Sequence, residues 1–227
     1  MPTVSTVTGI VSPDSLGTTL MHEHVLAHDV PEDKYDISIE LATQWLNDAA
    51  RVGIDTVVAL TPVRNIKLLA EVARRSPVKI IVSTGAYIYK TMKPAIRDLS
   101  EADMEARVMR EVTEGIDGTT IRAGIIKVAT NEAELTALDQ MIFRCAARVN
   151  QATGIPISTH AVCAARTQFD FLVNHGANPK QTFFTHVEAG FGWQGKAREQ
   201  MAASFLSIAK EGGRLLFNNF GYDFHTP

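Results

Sequence analysis

The sequence lacks the features of membrane-spanning proteins and of small disulfide-stabilised proteins. Its 227 residues contain no run of roughly 18 apolar residues, the length that a membrane-spanning helix needs. Residues 1–6 have neither a basic start nor a long apolar run, so they do not resemble a signal peptide. The two cysteines, Cys145 and Cys163, are too few for a disulfide framework, and we interpret both as small buried apolar residues. These absences predict a reducing, cytoplasmic location.

The sequence also lacks an excess of positive charge and any recognisable linker. The formal net charge is −3 and no basic stripe is present, so neither nucleic acid nor a membrane is an expected partner. No Pro/Gly/Ser-rich or low-complexity segment divides the chain, which predicts one domain over residues 1–227. Apolar residues make up 45% of the chain, enough to bury a sizeable core.

Short apolar, β-branched runs alternate with helical patterns at a spacing of roughly 25–40 residues, as in successive βα units. We predict strands over residues 18–21, 56–60, 78–83, 123–128, 155–159, 182–185 and 215–218. We predict helices over residues 39–52, 65–75, 101–115, 132–153, 164–175 and 195–211. Such continuous apolar strands are typical of a parallel sheet that is covered on both faces.

Two architectures fit this alternation, a doubly wound open sheet and a barrel. In an open sheet the functional groups gather at one switch point, whereas in a barrel they lie at the ends of many strands. Here polar residues follow nearly every predicted strand. The sequence therefore predicts an α/β barrel rather than an open sheet.

The first long strand ends in His22-Glu23-His24. Alternate residues of a strand face the same side, so His22 and His24 project together and Glu23 points away. Two imidazoles on one side of a strand end can grip a metal ion. A His-x-His sequence also arises by chance, so this motif needs support from elsewhere in the chain.

Lys127 lies within the apolar run Ile125-Ile126-Lys127-Val128-Ala129, where an unpaired charge is costly. One interpretation is a lysine at a strand end whose amine extends to solvent. The other is a neutral lysine, deprotonated by burial. A neutral amine can react with carbon dioxide to form a carbamate, an anion with two oxygens that can bridge two metal ions.

Two further strands each end in Thr-His, at His160 and at His186. Either histidine alone could be a satisfied core residue. Together with the His-x-His motif and the apolar-flanked lysine they predict a metal site. We interpret His28 and His175 as surface or helix-end residues.

These motifs resemble the phosphotriesterase family of the amidohydrolase superfamily. The resemblance is carried by Met21-His22-Glu23-His24, by residues 121–130 around Lys127, and by residues 154–160, Gly-Ile-Pro-Ile-Ser-Thr-His. It extends over residues 9–221 and implies an α/β fold of the (β/α)8 TIM-barrel class, with the last strand–helix unit missing from this chain. It implies that His22 and His24 hold the more buried metal, that His160 and His186 hold the more exposed one, and that carboxylated Lys127 bridges both.

Members of the family hydrolyse phosphotriesters, lactones or related esters. The sequence Thr84-Gly85-Ala86-Tyr87-Ile88-Tyr89 is similar to that of the phosphotriesterase-like lactonases. In those proteins the tyrosine equivalent to Tyr87 lies beside the metal pair, where it would bind or polarise a lactone. The alternative for Tyr87 is a packing residue at the barrel rim.

The chain departs from the family pattern in two places. The family has a metal-binding, proton-accepting aspartate after the eighth strand, and this sequence ends at Pro227, before that position. We expect a fragment or a truncated product with strongly reduced turnover, and Asp223 is a weak substitute. Many lactonases of the family have Asp-Arg where this chain has Asn218 and Asn219. No role follows for Tyr222, Asp223 or His225.

Three functional hypotheses remain. The first is hydrolysis of lactones or related carboxylic esters by a hydroxide that bridges two divalent ions about 3.5–4 Å apart. The second is a phosphotriesterase, and the third is a non-catalytic, metal-binding barrel fragment. The resemblance implies zinc, with cobalt, manganese or iron as alternatives, and carbon dioxide as the Lys127 carbamate. The expected partner is a small ester or lactone substrate, and family members often form homodimers.

Overall fold

A computed structural model describes residues 2–26, 30–88, 90, 92–162, 164–188 and 198–219. The predictions for Cys163, His28, Tyr222, Asp223 and His225 lie outside these residues. The chain forms two compact units, the first comprising Met1–Thr84 and Met109–Ile125, and the second Gly85–Val108 and Ile126–Pro227.

Strands and helices alternate in the described ranges, and each predicted strand is present. The strands are β1 (Val4–Thr6), β2 (Gly9–Val11), β3 (Thr19–Glu23), β4 (Thr56–Ala59), β5 (Lys79–Gly85), β6 (Ile125–Ala129), β7 (Ile157–His160), β8 (Thr182–Thr185) and β9 (Arg214–Leu216). The helices are α1 (Tyr35–Arg51), α2 (Ile66–Arg74), α3 (Pro94–Arg97), α4 (Glu101–Thr113), α5 (Ala137–Thr153), α6 (Ala165–Asn174) and α7 (Arg198–Lys210). None of the described helices combines the length and apolar character needed to cross a membrane.

In the first unit, β3, β4 and β5 form a parallel sheet whose two faces are both apolar. Alternate residues face opposite sides, so Val57 and Ile80 belong to one buried cluster, with residues of α1 and α2. Val58 and Ile81 belong to a second cluster, which Val4 of the β1–β2 hairpin contacts. This double coverage explains the near-continuous apolar strand sequences.

The β1–β2 hairpin was not predicted, because each strand has only three residues and neither has a strong apolar pattern. The backbone N–H of Val7, between the two strands, donates to the carbonyl of Ile80 at 2.8 Å and so attaches the hairpin to β5. Short strands of this kind depend on a neighbour for stability.

In the second unit, β6, β7, β8 and β9 lie side by side and parallel, and α5, α6 and α7 follow β6, β7 and β8 in the chain. Phe169 of α6 packs on Phe184 of β8 with ring centroids 5.7 Å apart. On α5, Cys145 is 1% exposed, which confirms its interpretation as a buried apolar residue. His175 follows the last residue of α6, as predicted.

Helix α5 begins at Ala137, later than the start at residue 132 that the sequence predicts. Thr136 is the N-cap, since its hydroxyl accepts from the Asp139 backbone while the Asp139 carboxylate accepts from the Thr136 backbone. This reciprocal pair forms a capping box. The helix ends at Thr153, as predicted, and Gly154 follows it with a left-handed φ of 74°.

Candidate metal centre

The first candidate residues lie at the end of β3, in the first unit. The Nε2 atoms of His22 and His24 are 3.3 Å apart, and the two rings are inclined at 68°. His22 is buried and His24 is exposed. The two imidazoles therefore converge through the same ring nitrogen, as expected for residues two apart on a strand.

His24 has a partner that the sequence did not reveal. Its Nδ1 lies 2.8 Å from the hydroxyl of Thr61, in the loop that follows β4. The same loop contains Arg64, which donates to the Pro62 carbonyl at 2.6 Å and forms an ion pair with Glu111 at 2.6 Å. The side chains of this pair are only 4% and 7% exposed.

Lys127 lies on β6 in the second unit and is 0% exposed. Its amine therefore does not extend to solvent, which was one of the two interpretations of the sequence. Its Nζ has no hydrogen-bond partner among the described residues. Burial lowers the pKa of this amine from 10.5 to about 7.

The backbone of Lys127 holds the segment that leads to Tyr87. The N–H of Ala86 donates to the Lys127 carbonyl at 2.9 Å. Gly85 has a φ of 102°, and a Cβ at this position would lie 2.0 Å from that carbonyl oxygen. Only glycine fits both the conformation and the close approach. The Arg107 guanidinium donates to the Gly85 carbonyl from the other side.

Tyr87 lies against His160, whose ring is close to that of His186. Its hydroxyl is 3.3 Å from His160 Nδ1, and the ring centroids of His160 and His186 are 4.7 Å apart. Burial raises the pKa of the Tyr87 hydroxyl above 10.0, so it stays protonated at neutral pH. Gln168 of α6 donates to the His160 carbonyl at 2.9 Å, a contact that sequence reasoning missed.

His186 has a φ of 62°, which is uncommon for a residue other than glycine. Asn218 accepts from its backbone N–H at 2.9 Å, and Asn219 Oδ1 lies 3.0 Å from its Nδ1. Glu188 accepts from the backbone N–H groups of both asparagines. Burial, and secondly the charge of Lys127, lower the pKa of His186. The hydrogen bonds with Asn218 and Asn219 hold His186, a candidate metal ligand, in position.

The histidines occur as pairs rather than as larger clusters. Within the described residues, no three His, Cys, Asp or Glu side chains come together as a metal site. A metal ion at His22 and His24, or at His160 and His186, would therefore need a further ligand. For His160 and His186, Lys127 of the same unit is a suitable further ligand, because its buried amine lacks a hydrogen-bond partner in the described part of the chain. Imidazole and carbamate are suitable ligands for zinc and for related divalent ions.

A protein-family model described as the phosphotriesterase family matches residues 2–227. A phosphotriesterase homology protein of Mycobacterium tuberculosis is 34% identical over 188 residues, which cover 75% of this chain and 58% of that protein. An aryldialkylphosphatase of Saccharolobus solfataricus is 26% identical, over 78% of this chain and 60% of that protein. A phospho-furanose lactonase of Mycoplasmopsis agalactiae is 28% identical, over 81% of this chain and 59% of that protein. The chain thus spans about three-fifths of the length of these curated relatives.

A solved structure has the same fold. A variant of a PTE-like lactonase from Deinococcus radiodurans aligns with a TM-score of 0.76 at 30% sequence identity. The alignment covers 94% of this chain and 80% of that chain. The predicted α/β barrel class is thereby confirmed.

Proposed function

Because the chain belongs to the phosphotriesterase family, we propose that it is a metal-dependent hydrolase of lactones or related carboxylic esters. The lactonase preference is supported by two relatives, the phospho-furanose lactonase and the PTE-like lactonase of solved structure. The proposed metal ligands are His22, His24, His160 and His186, with Lys127 as its carbamate.

The observation that carries the proposal is the buried, unsatisfied amine of Lys127. Leaving a buried donor without a partner costs roughly 1–3 kcal/mol, so such a group is seldom retained without a function. With a pKa of about 7 the amine is largely neutral at slightly alkaline pH. A neutral amine can add carbon dioxide and release one N–H proton, and the product is an anionic carbamate. Its buried charge would be offset by a bound divalent ion.

Divalent ions, when bound, polarise an ester carbonyl and make water a stronger nucleophile at neutral pH. The chain's own residues would position these ions and the substrate. His22 and His24 present their Nε2 atoms to a common point. The protonated Tyr87 hydroxyl, beside His160, is a hydrogen-bond donor for the acyl oxygen of a lactone. Zinc suits these ligands, and cobalt, manganese and iron are alternatives.

A second candidate, a phosphotriesterase, is favoured by the 26% identity to the aryldialkylphosphatase. Both reactions use the same ligands and differ in the pocket that accepts the substrate. A panel of lactones, aryl carboxylic esters and dialkyl aryl phosphates separates them. Hydrolysis of the phosphates alone would contradict the lactonase proposal. A protein that binds metal and hydrolyses none of them would support the third hypothesis, a non-catalytic barrel fragment.

The decisive variant is Lys127→Met, which keeps a long apolar side chain and removes the amine. We expect elemental analysis to find divalent ions in the wild-type protein and a substantial loss in the variant. The stability of the metal-free protein, in contrast, should not fall in this variant. Removing a buried polar group that lacks a partner should leave the metal-free protein as stable as before, or more stable by about 1–3 kcal/mol.

The matched control is Lys67→Met, at an exposed position of α2. This variant should change neither metal content nor stability by a measurable amount. The proposal is wrong if the wild-type protein contains no divalent ion and Lys127→Met changes neither property.

A further inference from the structure

The loop between β4 and α2 contains a polar residue to which the proposed function gives no role. Thr61 is the first residue after Leu60, and its hydroxyl lies 2.8 Å from His24 Nδ1. The opposite ring nitrogen of His24, Nε2, faces His22 Nε2 at 3.3 Å. Thr61 therefore contacts the one nitrogen of this ring that does not face the other histidine.

We propose that Thr61 is a positioning residue for His24, which holds the imidazole with its proton on Nδ1 and leaves Nε2 available to a divalent ion. This inference rests on the proposed function for the identity of the ion. Its structural basis, the hydrogen bond between Thr61 and His24, is independent of that function.

The chemistry of imidazole explains why this contact matters. Neutral histidine carries one proton, on either ring nitrogen, and the nitrogen that binds a metal must be the other one. A hydroxyl that accepts from Nδ1–H favours the form in which Nε2 has a free electron pair. The same hydrogen bond restricts rotation of the ring. Less conformational entropy of the exposed His24 side chain is then left to be lost when a metal binds.

The loop that contains Thr61 is anchored by hydrogen bonds on both sides of this residue. The N–H of Leu60, the residue before Thr61, donates to the Glu23 carbonyl at 2.9 Å. Glu23 is the residue between His22 and His24 in the sequence. Three residues after Thr61, the Arg64 guanidinium binds both the Pro62 carbonyl and the Glu111 carboxylate. Because this ion pair is buried, solvent screens it little, and breaking it would be costly.

The experiment uses Thr61→Val, which replaces the hydroxyl with a methyl group of similar size, and Thr61→Ser, which restores the hydroxyl. Thr43→Val is the matched control. It makes the same change on α1, at a threonine whose hydroxyl is buried and has no hydrogen-bond partner among the described residues. Zinc affinity is measured by competition with a chromophoric chelator, and unfolding by urea is measured in parallel.

Loss of a residue that orients a ligand typically weakens metal binding by about 10–100-fold. We expect this loss for Thr61→Val, an affinity within about threefold of wild type for Thr61→Ser, and no change for Thr43→Val. Arg64→Lys should weaken zinc binding less than Thr61→Val does. Its effect should be smaller still when Thr61 is already valine, because both act on the same ring.

A second readout does not require metal. Nitrogen-15 chemical shifts of the His24 ring in the metal-free protein report which nitrogen carries the proton. The proton should lie on Nδ1 in the wild type and in Thr61→Ser, and should be distributed over both nitrogens in Thr61→Val. Unchanged shifts in Thr61→Val would overturn the inference, as would unchanged zinc affinity. If the wild type binds no zinc, the proposed function fails, and the shifts still decide the role of Thr61.

Discussion

Substitution of Gly85 tests how closely the segment before Tyr87 approaches β6. In Gly85→Ala the new Cβ would lie 2.0 Å from the Lys127 carbonyl oxygen and 2.9 Å from its carbonyl carbon. Both atoms belong to the backbone of a buried strand and cannot rotate away. The φ of 102° is in addition a conformation that alanine rarely adopts.

The expected cost has two parts. A non-glycine residue in a sparsely populated backbone region costs of order 1–3 kcal/mol. Separation of the two segments also weakens the bond from the Ala86 N–H to the Lys127 carbonyl, for which a typical contribution is roughly 0.5–1.5 kcal/mol. A total of about 1.5–4.5 kcal/mol lowers the melting temperature of a chain of this size by roughly 3–18 °C.

The assay is urea and thermal unfolding of Gly85→Ala beside Gly53→Ala. Gly53 also has a positive φ, 89°, but a Cβ there would meet no atom within 4 Å. The control therefore retains the backbone strain and omits the collision with β6. If Gly85→Ala is no less stable than Gly53→Ala, the close approach of Gly85 to Lys127 is refuted.

Three further predictions concern stability. Thr136→Ala removes the cap of α5 and should cost about 0.5–2 kcal/mol in the free energy of unfolding, as measured with urea. Glu111→Ala leaves the Arg64 charge buried without its partner and should cost roughly 3–5 kcal/mol in the free energy of unfolding, as is typical of buried pairs. A cost below about 1 kcal/mol, the range of exposed pairs, would contradict the buried position of this ion pair. Two arginines of α5 hold the pKa of Glu101 down from 4.5 to about 2, so its contribution to stability is present above about pH 4.5 and is lost as the pH falls towards 2. Unfolding curves of wild type and Glu101→Gln should therefore converge on acidification, and a constant difference would refute this role.

The family and the α/β class could be predicted because both depend on local patterns. Strands such as β4 and β6 are buried at every residue, so they appear in the sequence as continuous apolar runs. Ligand candidates were recognisable for a related reason. His22 and His24 lie two residues apart at the end of β3, and a threonine precedes both His160, which ends β7, and His186, which follows β8. An alternation of two residues places both members of the first pair on one side without any tertiary information.

Boundaries and supporting contacts were less predictable. The residues before Ala137 share the polar character of a first helical turn, and only the capping box of Thr136 and Asp139 marks where the helix begins. The local signal for this start is the sequence Thr-x-x-Asp over residues 136–139. For Thr61 no such signal exists, because one threonine in a loop has no pattern that relates it to a histidine 37 positions earlier.

The alternation of the parallel strands with the longer helices, the candidate ligands and the family were determined by the sequence alone. These properties follow from the periodicity of side chains along a strand or helix and from short motifs, which the folded chain does not alter. Tertiary structure decided that Lys127 is buried without a hydrogen-bond partner in the described part of the chain, that Gly85 touches its carbonyl, and that Thr61 reaches His24. Each of these contacts joins atoms from segments that are distant in the sequence. The free energy of a buried polar group depends on whether such a contact gives it a hydrogen-bond partner, which its neighbours in sequence do not determine.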